Sequence, residues 1–423
     1  MTWNHHNYYT NKEKGLLAKL ILNDSEKNNL KELRKIVRAR TRKVFSEAVD
    51  IAKRIRTDEQ RQNNFNNSTL NHLEEKEKKR FTELIAQMDD ETYQAFTTLK
   101  PRFWTQGSFQ YDTLNRPFRA AQEMDIDDGT YLPMPIFDNE PKVGHELLTM
   151  LVDASLCSLQ SENEGWKFSK KQTCGRIKIA SKKTHIDVPM YAIPMDQFLT
   201  KQLSAESISV SEAMAAYDTK EAYKVDKDKV NLALREGNKK WTNSDPKIVE
   251  DWFNDNCRRI GPHLKKACRI MKGWRDAQWD VGGPSSISLM AAVVSILNKN
   301  QCDRSDLSDV MKVIAKHIAC EFERGVESPD ETDEKMLFPR DVKLTDHDKE
   351  IIEKLRLIHP MLIDAEKHKT KEGSLEELNK VYGKRVTDSG LITSQEAAPA
   401  FKGEADKAAA PIIISSSMTS GGH

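Results

Sequence analysis

The run Glu123-Met124-Asp125-Ile126-Asp127-Asp128 constrains this chain more than any other. Apolar Met124 and Ile126 alternate with acidic Asp125 and Asp127, which is the period of a β-strand. On such a strand the two carboxylates project together from one face, and the other face can pack into a core. Like charges that close repel, so the pair calls for a cation between them. The donors are hard oxygens, which suit Mg²⁺ or Mn²⁺ better than Zn²⁺.

Two further stretches complete the pattern. Upstream lies Gln106-Gly107-Ser108-Phe109-Gln110-Tyr111. Gly107 lets backbone approach a ligand closely, and Ser108 is placed to cap a helix whose free N–H groups face a phosphate. Downstream lies Lys183-Thr184-His185-Ile186-Asp187-Val188-Pro189-Met190-Tyr191. Ile186 and Val188 fall on one side of this β-rich run, and His185 and Asp187 fall on the other. Asp187 is therefore the candidate third carboxylate. An isolated Asp-x-Asp is usually a solvated turn and Gly-Ser usually marks a loop, so order and spacing carry the argument. A phosphate cradle beside a metal-holding pair is the skeleton of a phosphoryl-transfer site.

A Gly-Ser turn, an Asp-x-Asp strand and a later strand with one more Asp resemble the DNA polymerase β-like nucleotidyltransferases. The likeness narrows to the cGAS/DncV-like branch. It is carried by Phe103 to Thr113, Glu123 to Tyr131, Lys171-Gln172-Thr173-Cys174-Gly175-Arg176, Val230 to Lys240, and Trp279-Asp280-Val281-Gly282-Gly283-Pro284-Ser285-Ser286. It covers most of the chain and is weakest at 57–75, 200–228 and beyond about 340.

The 423 residues suffice for two intimately packed lobes. A formal net charge of only +1 argues against a dedicated duplex-binding surface. No apolar run approaches a membrane span, and the N-terminus lacks the design of a secretion signal. The six cysteines form no Cys-x-x-Cys pairs, so neither zinc nor a disulfide framework is implied, and the cytoplasm is the expected compartment. Animal members of the resembled family carry a His/Cys zinc insertion that grips DNA. Nothing here clusters that way, so DNA activation is not expected.

The expected fold class is α+β: a polymerase β-like lobe with a mixed sheet, packed against a helical C-terminal lobe. Residues 1–100 are expected to supply helices flanking the catalytic lobe. A long helix is expected from an Asp24-Ser25 cap, with Leu30, Leu33, Val37, Val44, Ala48, Ile51 and Ile55 on its apolar face. Residues 57–72 read as an exposed loop, and a second helix is expected from Leu73 to Leu99, stopping before Pro101. Residues 101–228 form the catalytic core, with 200–228 a variable excursion. Residues 229–386 form the helical lobe: Ser244-Asp245-Pro246 caps one helix, and Gly282 to Ser286 breaks the chain before another. Residues 387–423 read as a flexible tail.

The resemblance implies chemistry and partners. Asp125, Asp127 and Asp187 would hold two Mg²⁺ ions, with Mn²⁺ as a substitute. Gln106, Gly107, Ser108, Phe109, Gln110, Tyr111, Arg176, Ser244, Lys272, Ser286 and Asp333 fall at or beside the family's nucleotide contacts. Arg34 and Arg38 are candidates for a folate-type regulatory ligand. The implied product is 3′,3′-cyclic GMP–AMP made from ATP and GTP, a messenger in anti-phage defence. Rival readings are another cyclic or linear oligonucleotide, and a scaffold that has lost its chemistry. Implied partners are a messenger-activated effector such as a phospholipase, and a ubiquitin-transfer-like ancillary enzyme acting at the C-terminus. The chain ends Gly421-Gly422-His423, which departs from a bare Gly end.

Overall fold

A computed structural model describes residues 2–57, 65–134, 136–137, 140–141, 144–194, 230–330 and 336–394. Its order begins with β1 (Trp3–Asn4), α1 (His6–Thr10), α2 (Leu16–Leu20) and the 33-residue α3 (Asp24–Arg56). The cap of α3 is Asn23 rather than Asp24-Ser25. Its side chain accepts from Glu26 N at 2.8 Å, and Glu26 returns a carboxylate to Asn23 N at 2.7 Å, satisfying two orphan donors reciprocally. The expected stripe from Leu30 to Ile55 is buried, apart from half-buried Leu33.

The single helix expected over 73–99 is two, α4 (Glu75–Gln87) and α5 (Asp90–Thr98). Asp89 accepts from Thr92 N at 2.7 Å, so a carboxylate that can cap a new helix ends the old one. The loop before α4 is less exposed than expected. Phe65 and Leu70 are buried, and Phe65 packs edge-on against Phe81 at 5.7 Å.

Next come β2 (Arg102–Gln106), the single turn α6 (Gly107–Gln110), β3 (Met124–Met134) and the ribbon of β4 (Ile136–Phe137) with β5 (Glu140–Pro141). Then follow α7 (His145–Glu162), β6 (Trp166–Lys170), β7 (Cys174–Ile179), β8 (Thr184–Pro194), β9 (Asn231–Ala233) and β10 (Trp241–Asn243). Seven strands form one mixed sheet. β3 lies between antiparallel β2 and parallel β8, and the far edge of β8 takes β7 along its first half and β9 further on. Ile126, Leu132, Met134, Ile186, Val188, Met190 and Ala192 pack on the side covered by α3 and α7. Their odd-numbered neighbours are thereby turned to the opposite face.

The helical lobe comprises α8 (Pro246–Ile260), α9 (His263–Gln278), α10 (Ser286–Lys299), α11 (Leu307–Arg324), α12 (Asp346–Lys367) and α13 (Lys371–Tyr382). Asp245 and Ser285 cap α8 and α10, with Pro246 in the first turn of α8. The first twenty residues join this lobe rather than flank the catalytic one: Trp3, Tyr8, Tyr9, Leu16 and Leu20 share its core. The start of the expected tail is also built in. Leu391 and Ile392 are buried, and β11 (Thr393–Ser394) pairs with β1. Residues 195–229 and 395–423, which hold the whole of the expected excursion and the rest of the tail, lie outside the described residues.

Asp128 follows the catalytic pair but faces the other way. It is 1% exposed and takes Arg38 Nε at 2.7 Å and Arg38 Nη2 at 2.5 Å. Removing one partner of a buried ion pair strands the other. Asp128→Ala should cost about 3 kcal/mol of stability in denaturant titration, unlike a change at Asp127 one residue earlier.

Candidate active site

The parallel ladder sets Asp127 opposite Asp187 and Asp125 opposite His185. Residues paired across a ladder share a face, so all three carboxylates converge where the sequence expected them. Asp125, His185 and Asp187 each offer one donor atom, and these lie within 4.8 Å of one another. Asp127 sits under the turn that opens α6. A Cβ on Gly107 would lie 2.2 Å from Asp127 Oδ2, and Gly107 has φ +65°. Glycine is required there both for the left-handed backbone and for the close approach.

Electrostatics around the cluster are one-sided. Burial, then Asp125, then Asp187 push the Asp127 carboxyl up to about 8. Arg176, opposite Asp187 on β7, grips both Asp187 oxygens at 2.6 Å. His185 Nδ1 lies 3.1 Å from Glu123 Oε2, and Glu123 Oε1 lies 2.6 Å from Lys178 Nζ. His185 Nε2 faces Asp125 Oδ1 at 3.0 Å, yet neither atom is aligned for a hydrogen bond with any partner. Crowded carboxylates and two orphaned buried donors are what a divalent ion would satisfy, so the residues present fit such an ion.

A cleft of ≈ 390 Å³ opens between the sheet and the helical lobe. Of the expected residues, Ser108, Asp125, Arg176, Lys272 and Ser286 line it. Lys272 is buried and donates to the Thr113 carbonyl at 2.7 Å. Burial, then Arg275, pull its amine down to about 7. Ser286 Oγ accepts from Arg275 Nη1 at 2.9 Å. The two sides are clasped by the strap between α6 and β3: Arg269 Nη1 donates to Leu114 O at 2.5 Å, and Asn115 Nδ2 donates to Arg269 O at 2.9 Å.

Other expected residues are placed elsewhere. Ser108 is the second residue of α6, whose cap position is Gln106, and neither makes a capping bond. Gln106 is buried. Its amide donates to Tyr131 Oη at 2.8 Å and accepts from Tyr191 Oη at 3.2 Å, and those two rings stack 4.7 Å apart. Tyr111 is 7% exposed and packs against Phe253, so its ring is core. Phe109 and Gln110 turn from the cleft into a second cavity of ≈ 260 Å³, which they share with Arg34. Arg34 Nη1 donates to Thr105 Oγ1 at 2.5 Å, while Arg38 is spent on Asp128. Ser244 is absent from the cleft lining, and its N–H bonds Val230 O at 3.0 Å. Asp333 lies outside the described residues.

His185, Glu123 and Arg275 are among the cleft residues not proposed as functional from sequence. His185 had a legible signal, since it lies two residues before Asp187 on the same strand face. Arg275 had none, because its place depends on how the lobes meet.

This fold and site define a metal-dependent nucleotidyltransferase. Residues 101–191 match the family described as cyclic GMP-AMP synthase DncV-like, nucleotidyltransferase domain, and residues 261–395 match the cyclic GMP-AMP synthase C-terminal domain. The chain is 57% identical over 434 residues to the cyclic GMP-AMP synthase of Vibrio cholerae, spanning 100% of both chains. Two solved structures of the Vibrio cholerae DncV superpose with TM-scores of 0.86. One, at 56% identity, holds the linear intermediate 5′ pppA(3′,5′)pG and covers 94% of this chain and 100% of that one. The other, an Asp→Asn variant at 57% identity, holds ATP, GTP and 5MTHFGLU2 and covers 93% of this chain and 100% of that one. The chain belongs to the DncV-like cyclic GMP–AMP synthase family of nucleotidyltransferases.

Between about pH 4 and 8 the folded metal-free protein keeps a proton on Asp127 that the unfolded chain has released. The folded state therefore binds more protons, and its stability falls as pH rises through that window. Asp127→Asn should remove this slope, raise the melting temperature of the metal-free protein at pH 8 by roughly 2 °C, and abolish catalysis. Melting curves taken across pH check it. Gly107→Ala should leave the fold intact but cut turnover by about 100-fold, because the added methyl drives Asp127 off its position.

Proposed function

We propose that this protein makes 3′,3′-cyclic GMP–AMP from ATP and GTP by two successive nucleotidyl transfers at one site. The register that sets Asp127 opposite Asp187 carries the reading. In each transfer a ribose 3′-hydroxyl attacks an α-phosphate in line and pyrophosphate leaves. The linear dinucleotide then turns over, so that its own free hydroxyl attacks the remaining triphosphate. Two Mg²⁺ ions, held by Asp125, Asp127 and Asp187, would supply charge neutralisation at the attacking and leaving oxygens.

The protein's own groups position the reactants. The Gly107 turn brings backbone N–H groups to the donor triphosphate, and Ser108 borders it. Lys272, Arg275 and Ser286 face the same cleft from the helical lobe and offer donors for phosphate oxygens. Asp187 would accept the proton of the attacking hydroxyl. Arg176, whose Nε and Nη2 hold Asp187, would turn its remaining N–H groups to a purine edge or a phosphate of the acceptor nucleotide. Ser244 and Asp333 are further candidate nucleotide contacts, and Arg34, beside the second cavity, and Arg38, paired with Asp128, remain candidates for a regulatory ligand. Most of the acceleration comes from positioning and electrostatics rather than from a protein nucleophile.

No described helix is long and apolar enough to cross a membrane. The reaction is placed in the cytoplasm, where ATP and GTP are abundant. There its product would signal phage infection to an effector such as a phospholipase, and a ubiquitin-transfer-like enzyme would act on the Gly-rich C-terminus.

Incubation with Mg²⁺, ATP and GTP, with products resolved by mass, tests the reading. One product of the mass of a cyclic GMP–AMP, without any terminal phosphate, is expected, and Asp127→Ala should eliminate it. Pyrophosphate release with only linear products would replace the reading with a linear oligonucleotide synthase. No turnover would leave a nucleotide-binding scaffold.

A further inference from the structure

The reaction as described leaves Gln122 without a task, although it borders the cleft just ahead of Asp125. Its amide uses every hydrogen-bonding capacity it has. The oxygen accepts from Phe118 N at 2.9 Å and from Arg119 N at 3.0 Å. The nitrogen donates to Asp276 O and to Trp279 O, both at 2.8 Å. A primary amide offers two lone pairs and two hydrogens, so none is left for a nucleotide. Turned over, its nitrogen would meet two N–H groups and its oxygen two carbonyls, so one orientation alone fits. The two carbonyls belong to the end of α9, where a helix leaves its last acceptors unmet. Arg119 takes the intervening Ala277 O at 2.5 Å and Asp280 Oδ1 at 2.9 Å.

Gln122 thereby joins the two walls of the cleft. The strap it sits in runs straight into β3, which carries Asp125, while α9 carries Lys272 and Arg275 on the opposite wall. The clasps of Arg269 on Leu114 and of Lys272 on Thr113 hold only the other end of the strap. We propose that Gln122 is a positioning residue that fixes the phosphate-binding helix against the metal-bearing strand, and so decides whether the linear dinucleotide is cyclised or released. The inference rests on the two-transfer reading above. The first transfer draws on free nucleotides, which rebind after every escape. The second must keep one intermediate in place, with its triphosphate toward α9 and its hydroxyl toward β3, until it reacts. Walls that drift apart by about 1 Å slow in-line attack by up to about 100-fold. The same drift lets the intermediate leave, so cyclisation loses on both counts.

Gln122→Met and Gln122→Glu in the full-length protein test it. Methionine keeps the length and loses all four bonds, whereas glutamate keeps the shape and sets an acceptor against two carbonyls. Products formed from ATP, GTP and Mg²⁺ are resolved by mass over time. Both variants should raise the ratio of released linear dinucleotide to cyclic product roughly tenfold and lower kcat by a similar factor, while KM for each nucleotide moves by less than about twofold. A merely structural role would lower the melting temperature and the active fraction but leave the product ratio alone. An unmoved ratio in folded variants overturns the role of Gln122 and leaves the proposed reaction standing. Unaltered protein that makes no dinucleotide at all sinks both. Should neither variant fold, hydrogen exchange of the unaltered protein decides: the Phe118 and Arg119 amides should exchange more slowly once a non-hydrolysable ATP analogue and GTP fill the cleft, and exchange indifferent to nucleotide overturns the proposal.

Discussion

Asp125, Asp127 and Asp187 repel one another where β3 meets β8, and the surrounding structure exists to hold them there in spite of it. The restraint comes from the opposite face of the same strands. Ile126, Ile186 and Val188 are 0%, 0% and 1% exposed beneath α3 and α7. Each apolar side chain locked into that core fixes the direction of the acidic neighbour beside it, because alternation leaves no other choice. Slipping the register by one residue would turn carboxylates inward and isoleucines outward. The hydrophobic effect therefore pins an electrostatically unfavourable arrangement, and the stored repulsion becomes affinity for cations.

Around this acidic centre the positive groups are distributed by role. Arg176 and Lys178 reach the cluster from β7, one on Asp187 and the other on Glu123. Lys272 and Arg275 come from α9 on the far wall of the cleft. The burial that lowers the charge affinity of Lys272 also leaves it bonded to a backbone carbonyl of the strap, so one lysine helps join the lobes and faces the cleft. The net charge of +1 conceals this local polarity entirely.

The neighbouring acids Asp127 and Asp128 illustrate how a single residue step divides function from stability. One faces ions and the other closes a buried pair with Arg38 on the long helix. The same helix places Arg34 at a separate cavity shared with Phe109 and Gln110. The short α6 turn is thus used on both sides, with Gly107 over Asp127, Ser108 toward the cleft and the next two residues away from it. Spacing could not have divided those four residues, because a single turn of helix points successive side chains about 100° apart and only the packing of α3 and α8 shows which directions lie over which cavity.

Much was legible beforehand. The Asp-x-Asp strand, the third carboxylate, the stripe of α3 and the caps of α8 and α10 follow from periodicities of two and 3.6 and from capping chemistry, which are local properties, while the α+β class came with the family resemblance. The break at Asp89 is not legible in the sequence, because a cap and an exposed helix residue look alike until packing chooses between them. The placement of the first twenty residues in the helical lobe, the pairing of β1 with β11, the inward turn of Gln106 and Tyr111, and the addition of His185 and Arg275 to the cleft were decided by tertiary structure alone. They depend on contacts between segments far apart in the chain, whose energies are collective and leave no mark on the spacing of neighbours. The sequence by itself determined which residues can hold a divalent ion. The fold decided which of them meet.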